Sequence, residues 1–409
     1  MKRDNLVVGL DLGSTKTCAV IAEAGGDAQL PGAKVLGVGL ARSTGVKRGV
    51  VRDIEQTTRS IVQAMKDAER MAGVEVGAVY CGIAGEHVSA RSSNGLASVT
   101  GEEITRADVE RVDAVAKAVS LGRDHELLHH IPQEYKVDSQ GGISDPVGMT
   151  GLRLEVEMYL VSVQGTAAQN LRKSVERAGY RVAELVLEPL AAALAVLTEE
   201  EKELGCALVE LGGASTNVAI FQDGKIRHLA SLRYAGSHVT SDIVQGLGVT
   251  QADAERLKER SGVAYMSLVD PDEMIELPST PGQGPRQAKR ELLAHIIHQR
   301  MDEVFGLVLR EIEHEGYGGR LPAGVVVTGG GAQMPGVVEL AREVFAAPAR
   351  AGLPGRGITG LVDSVQAPRY AVPVGLALYA ARLRVGGAPS EKSVDRFLAP
   401  VKRWLQDFF

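Results

Sequence analysis

The chain has 409 residues, too many for one ordinary core, so two or more domains are expected. A net charge of −6 and a pI near 5.9 argue against a general nucleic-acid binder, and no apolar run reaches the length of a bilayer span. Cys18, Cys81 and Cys206 are odd in number and sit in apolar stretches, so they read as buried free thiols of a reducing compartment, not as disulfides or metal ligands.

Met1-Lys2-Arg3-Asp4 leads straight into an apolar stretch with no signal-peptide pattern. Residues 6–12, 17–24 and 34–42 read as strands. Residues 53–71 read as an amphipathic helix, with Ile54, Ile61, Ala64, Met65 and Ala68 at helical spacing. A strand over 78–83 follows. The first two strands enclose Asp11-Leu12-Gly13-Ser14-Thr15-Lys16, an apolar strand ending in a carboxylate and then a tight polar turn. Such a carboxylate can hold a hydrated cation. The turn can offer N–H groups and hydroxyls to phosphate, because glycine lets backbone approach closely.

From about 85 to 163 the pattern changes to short strands, a helix over 106–119 and two Pro- and Gly-bearing segments. This is too long for a loop and reads as a small inserted α+β subdomain over 85–162. His129-His130 has no ligand spacing and reads as a polar strand edge. A helix over 166–178 and a strand over 182–187 return to the first domain, here taken as 1–84 plus 163–198. A helix over 189–197 crosses to the second domain, taken as 199–384.

The second domain opens with a hairpin of the same design, Glu210-Leu211-Gly212-Gly213-Ala214-Ser215-Thr216 between apolar strands. One Gly/Ser turn is usually just a turn. Two in one chain suggest a duplicated domain that clamps phosphates from both sides. Residues 236–320 are mostly helical, with helices over 241–247, 251–260 and about 286–315, and 270–284 reads as a loop or short hairpin. The apolar strand 323–328 then feeds Gly329-Gly330-Gly331-Ala332-Gln333-Met334 and a helix over 337–345, a place where backbone could lie flat against a base or ribose. A last helix ends near Leu383. Residues 385–393 read as a linker.

The two hairpins and the glycine-rich turn, in this order, resemble the actin-like ATPase superfamily. That implies duplicated ribonuclease H-like βββαβα domains, two phosphate loops and an adenosine loop. Ile131-Pro132-Gln133-Glu134-Tyr135, the run 145–152, 156–163 closing the insert, Tyr234-Ala235-Gly236-Ser237-His238 and Ile358-Thr359-Gly360-Leu361 are similar to the bacterial cell-division family FtsA. The resemblance implies a cytoplasmic protein on the inner face of the membrane at the division site. It implies binding of ATP with magnesium, self-polymerisation, and attachment of FtsZ to the membrane through the FtsZ C-terminal peptide. A sugar kinase would need a catalytic Asp and a sugar pocket. The PilM kind is not expected to end in a membrane helix, and the MreB kind carries its membrane helix at the other end.

By this resemblance Asp11 orients hydrated magnesium, and Gly13, Ser14, Thr15, Lys16, Gly212, Gly213, Ala214, Ser215 and Thr216 wrap the phosphates. Gly329, Gly330, Gly331 and Met334 line the adenosine. Glu255 and Lys258, three apart on one helix, are either its adenine and ribose contacts or an exposed ion pair. Glu134 is a candidate for positioning water, or else a hinge or capping residue. Glu210 departs from the superfamily's usual Asp, and Ala214 from its usual Gly. A carboxylate one methylene longer would displace a water held for attack, so slow hydrolysis is expected. Arg290 and Arg300 are candidates for carboxylates of the FtsZ peptide, since Arg donates bidentately.

The last segment, 394–409, reads as an amphipathic membrane-targeting helix. Phe397, Leu398, Val401, Trp404, Leu405, Phe408 and Phe409 share one stripe with basic residues off it, an interfacial pattern too short to span. Pro400 fits best in its first turn.

Overall fold

The computed structural model describes residues 5–26, 31–122, 124–278 and 286–385. In chain order the first part holds β1 (Leu6–Leu12), β2 (Lys16–Gly26), β3 (Pro31–Arg42), the short β4 (Val46–Lys47) and β5 (Val50–Val51), α1 (Ile54–Ala72) and β6 (Ala78–Ile83). The insert holds β7 (Val88–Ser98), α2 (Arg106–Lys117), β8 (His125–Val137), β9 (Gln140–Ile143) and β10 (Arg153–Gln164). Then come α3 (Gly165–Arg177), β11 (Arg181–Leu187), α4 (Glu188–Val196), α5 (Glu199–Leu204), β12 (Cys206–Leu211), β13 (Thr216–Gln222) and β14 (Lys225–Leu232). The rest is α6 (Gly236–Leu247), α7 (Gln251–Ser261), β15 (Met274–Leu277), β16 (Arg286–Lys289), α8 (Arg290–His314), β17 (Gly324–Thr328), α9 (Val337–Phe345), β18 (Ala349–Ala351), β19 (Ile358–Gly360) and α10 (Ala371–Val385).

The two large sheets have one topology. The first runs β11-β6-β1-β2-β3-β19 and the second β14-β13-β12-β17-β18. In each, three consecutive antiparallel strands are extended by parallel strands on the side of the first, β1 or β12. This is the duplicated actin-like architecture. Helices α4 and α10 lie between the sheets and share one buried core with both. Two elements cross back: β19 pairs parallel with β3, and α10 packs on the first sheet. The expectation that everything from 199 to 384 belongs to the second domain therefore fails for β19 and α10, whereas Pro368 between them stays on the second domain, its carbonyl accepting the Gly329 N–H at 3.2 Å.

Local sequence sets the element ends. Asp53 caps α1 by accepting the Gln56 N–H at 2.9 Å, and Gly73 closes it in the left-handed conformation. Ile61, Ala64, Met65 and Ala68 are its buried stripe. Residues 286–289, expected to be helical, form β16 instead and pair with β15, so α8 begins at Arg290. Extended backbone is stabilised there by its partner strand, which local helical spacing cannot register.

The insert is an antiparallel sheet, β7-β10-β8-β9, covered by α2 over its own small core. A capping box between Thr105 and Asp108 starts α2. The three cysteines are free and buried, and burial pushes the Cys18 and Cys206 thiols up to about 12. His129 lies where β8 has only β10 as a strand partner, but it does not face solvent: it is buried, its Nε2 accepts the Leu187 N–H at 3.0 Å, and burial pulls its pKa down to about 4. Among the described residues no helix is long and apolar enough to cross a membrane. Phe397, Leu398, Val401, Trp404, Leu405, Phe408 and Phe409 lie outside the described residues.

Candidate functional site

The ends of β1 and β12 bring the two glycine-rich turns face to face. A Cβ on Gly213 would lie 2.4 Å from Thr15 Cγ2, so only glycine lets the turns approach this closely. Gly13 and Ser14 are half-buried and Thr15 is exposed at the rim. Ser14 Oγ accepts the Gly49 N–H at 3.3 Å, which braces the first turn against the short β4–β5 hairpin. In the second turn Gly212 N–H donates to Ser215 O at 3.0 Å, and Gly236 and Ser237 N–H groups donate to Gly212 and Gly213 carbonyls. Gly213, Ala214 and Ser215 stay partly accessible. Thr216 does not: it is fully buried and its hydroxyl donates to Tyr234 O at 2.7 Å, so that hydroxyl is not free for a phosphate.

Beneath the turns sits a cluster of charge. Lys16 Nζ lies 2.5 Å from Asp11 Oδ2. Burial, the largest influence, would lower the Lys16 pKa, but Asp11, Cys18 and Glu210 together outweigh it and hold the ammonium above its ordinary range. Glu210 is buried, and burial, followed by the Asp11 charge, raises its pKa to about 7. Asn217, directly across the hairpin from Glu210, donates to it at 3.2 Å and is held in turn by Ser231 at 2.8 Å. The third carboxylate is Glu188, the first residue of α4. Burial, then Glu210 and Asp11, push its pKa well up. Its Cγ would stand 2.9 Å from a Cβ on Gly82 of β6.

Glu188 replaces Glu134 as the candidate for handling water. Glu134 lies on β8 of the insert, paired to Lys136 at 2.8 Å and accepting the Gly142 N–H at 3.1 Å. Hydrogen bonding to Lys136 and Gly142 lowers its pKa despite the opposing desolvation, and Asp11, Lys16 and Glu210 are not among the groups that act on it. The signal for Glu188 is present in the sequence. It is the one charged side chain in an otherwise apolar crossing from Leu185 to Leu197.

Three carboxylates face one ammonium. Fully ionised, they leave an excess of negative charge in a buried place. That excess suits a hydrated divalent cation, which Asp11 and Glu210 would hold through its waters.

On the other wall, Gly329 adopts φ +84° and lies against Leu211 at the end of β12, so the 329–331 turn is pinned beside the second phosphate turn. Gly330 faces open space, with nothing within 4 Å of a Cβ built on it. Gly331 and Met334 are half-buried, and Met334 N–H closes the turn on Gly331 O. Lys258 reaches the same region. Its Nζ lies 2.7 Å from Glu255 Oε2, 2.8 Å from Thr240 Oγ1 and 3.1 Å from Gly236 O. The pair is thus part of a network next to the second turn, not an exposed surface pair. Gln333 and Arg369 join at 2.5 Å beside this wall, a contact that sequence separation hides.

Arg290 and Arg300 are not together and not free. Arg290 holds Glu273 at 2.7 Å and Ser261 O at 2.9 Å. Arg300 grips Asp242 with two nitrogens, at 2.5 and 3.0 Å, and Glu303 at 2.5 Å.

This arrangement can be set beside known proteins. Residues 207–375 match the family described as cell division protein FtsA, and 85–162 match the SHS2 domain inserted in it. A cell division protein FtsA of Pseudomonas aeruginosa is 41% identical over 99% of this chain and 98% of its own length. The chain belongs to the FtsA cell-division family. Among solved structures, a PilM–PilN type IV pilus biogenesis complex aligns at TM-score 0.65 with 16% identity, over 92% of this chain and 98% of its own. MreB5 of Spiroplasma citri bound to ADP aligns at TM-score 0.53 with 15% identity, over 94% and 100%. These two establish the actin-like fold and nothing finer. FtsA membership covers essentially the whole chain, insert included.

Proposed function

We propose that this chain binds ATP with magnesium between its two domains, polymerises, and tethers FtsZ filaments to the inner face of the cell membrane at the division site. The observation that carries the nucleotide reading is the apposition of two glycine turns, Gly213 on Thr15, above the Asp11–Lys16–Glu188–Glu210 cluster. Membership of the FtsA family supports the rest.

In this reading Asp11 and Glu210 orient the hydrated cation, Lys16 and the turns meet the phosphates, and Lys258 with Glu255 and Gly329–Gly331 hold the nucleoside. The cation supplies positive charge to the phosphate oxygens. Glu188 accepts a proton from the attacking water once it is itself ionised. Glu210 is anchored back on Asn217 and so is a poor fixture for that water; Ala214 adds no further donor. Hydrolysis is slow, well below the ~10 s⁻¹ typical of enzymes, while affinity is micromolar or tighter, about −8 kcal/mol. The FtsZ peptide binds on the outer part of the second domain, about 236–320. At Arg290 or Arg300 its carboxylates would have to exchange with Glu273 or Asp242. Membrane contact falls to the stripe ending in Trp404, Leu405, Phe408 and Phe409.

Co-sedimentation with FtsZ, with and without anionic vesicles, tests partner and membrane in one experiment. FtsZ should pellet with vesicles only when this protein is present, and deletion after Lys392 should abolish that. FtsZ remaining in the supernatant with the full chain, ATP and vesicles would overturn the tether.

A further inference from the structure

Edge strand β14 of the second sheet has a strand partner on one side only, β13. The insert lies against its other side. Leu229 N–H donates to Tyr159 Oη at 3.1 Å. The Lys225 ammonium takes the Gln133 carbonyl, and Arg227 Nη1 donates to the Gln133 side-chain oxygen at 3.2 Å. Just past β14, Arg233 pairs with Glu86, where the chain enters the insert. These contacts come from β8, β10 and the connecting segment, so the insert meets β14 along a continuous seam.

Besides Arg172–Glu126 at 2.6 Å and the Leu187 N–H on His129 at 3.0 Å, the insert is joined to the first domain by its two connecting strands. They are tied together where Gln164 N–H donates to His87 O at 2.9 Å. This stalk stands one contact from each phosphate turn. His87 packs beside Gly49, whose N–H donates to Ser14 Oγ in the first turn. Arg233 precedes Tyr234, whose carbonyl accepts the Thr216 hydroxyl, and Gly236 and Ser237 donate to the second turn. His87 itself is 8% exposed, and neither ring nitrogen has a hydrogen-bond partner among the described residues. Leaving a buried imidazole unpaired is costly.

We propose that the insert is an arm read by the nucleotide site. When the domains close, bringing Gly213 onto Thr15, the seam engages: Glu86 on Arg233, Gln133 on Lys225 and Arg227, Tyr159 on Leu229. When they open, the seam parts and the insert stays with the first domain, held by Arg172 and His129 as well as by its stalk. This rests on the nucleotide reading above. The insert is thereby latched in one orientation to the second domain only while nucleotide is held.

The test uses the full chain with spin labels on S98C in the insert and S241C in the second domain, both exposed sites, the three native thiols being buried. Inter-label distances are read by double electron–electron resonance, and ATP occupancy is measured on the same samples. With Mg-ATP the distribution should be short and narrow; without nucleotide it should gain a longer population. Arg233→Glu should show the longer population even with ATP bound, and Glu86→Arg with Arg233→Glu should restore the short one. ATP bound with no change in distance would overturn the arm and leave the nucleotide site standing. No ATP binding would overturn the nucleotide reading and its control of the arm. An unchanged distribution in Arg233→Glu would overturn the seam itself.

Discussion

Gly213→Ala tests whether the two phosphate turns must close on each other. The added Cβ would lie 2.4 Å from Thr15 Cγ2, 2.9 Å from its Oγ1 and 3.2 Å from its Cβ. Carbon atoms in contact stand ~3.5–4.0 Å apart, so the turns must part by about 1 Å or Thr15 must leave its position. A displacement of about 1 Å at a site that reads geometry costs up to ~10²-fold. ATP affinity should therefore fall about tenfold to a hundredfold, roughly 1.4–2.7 kcal/mol. The nearest obstacle is the Cγ2 methyl, with Oγ1 at 2.9 Å behind it. Thr15→Ser removes Cγ2 and keeps the hydroxyl, so Thr15→Ser with Gly213→Ala should recover part of the loss, while Thr15→Ser alone should change little. Calorimetric titration with ATP and magnesium on the four proteins completes the cycle. The ligand-free melting temperature should barely move, because an open cleft accommodates the methyl. Wild-type affinity in Gly213→Ala would refute the closure. A double variant as weak as Gly213→Ala would mean that the methyl clash is not the cause.

Glu188→Gln keeps the shape of the side chain and removes its ability to take a proton. ATP binding should stay within about threefold, while phosphate release falls by ~10²–10⁴; release at the wild-type rate would remove Glu188 from the reaction. His129 gives a prediction in pH. Its folded pKa is about 4 and its ordinary value 6.5, so as pH falls the unfolded chain takes the proton first. Its penalty is absent above about pH 6.5 and grows down to about pH 4, reaching about 2 kcal/mol at pH 5. Urea melts at pH 7 and pH 5 should show that loss in the wild type. It should be missing from His129→Gln, whose amide oxygen can still accept the Leu187 N–H; equal losses would exclude His129 as the source.

Much of this site was legible in the chain. Asp11 and Glu210 each end an apolar strand before a Gly/Ser turn, and both the strand ends and the turns are local features. What the turns do to each other is not local: Gly213 meets Thr15 only because two sheets of one topology are brought face to face around α4 and α10. Glu188 was missed for a physical reason. An acid at the start of an apolar helix is what the helix dipole favours in any protein, so a lone charge in the apolar crossing reads as a helix start before it reads as a site residue. Glu134 is expected on the connection between the two domains' active faces, but its strand places it on the insert beside Lys136. The same limit explains β16, where pairing with β15 overrides helical spacing, and β19 with α10, which return to a sheet begun more than three hundred residues earlier. Arg290 and Arg300 show the limit for partners, since sequence cannot tell an arginine awaiting a carboxylate from one that already holds Glu273 or Asp242.

Charge balance connects the site's binding to its turnover. Asp11, Glu188 and Glu210 share one buried neighbourhood with a single ammonium. Burial and mutual repulsion raise Glu188 and Glu210, so the cation-free cluster holds protons that full ionisation would not allow. A protonated Glu188 cannot take a proton from water. In the proposed mechanism, positive charge added to the cleft favours the ionised form of Glu188 and so its acceptance of a proton. The same positive charge draws on Glu210, which Asn217 and Ser231 restrain. The cleft is built so that occupancy comes first and proton acceptance depends on it. That ordering suits a protein whose output is a held conformation, with Gly213 seated on Thr15, more than one whose output is product. In the proposed reading, a long-lived closed state serves both the filament subunit and the membrane tether.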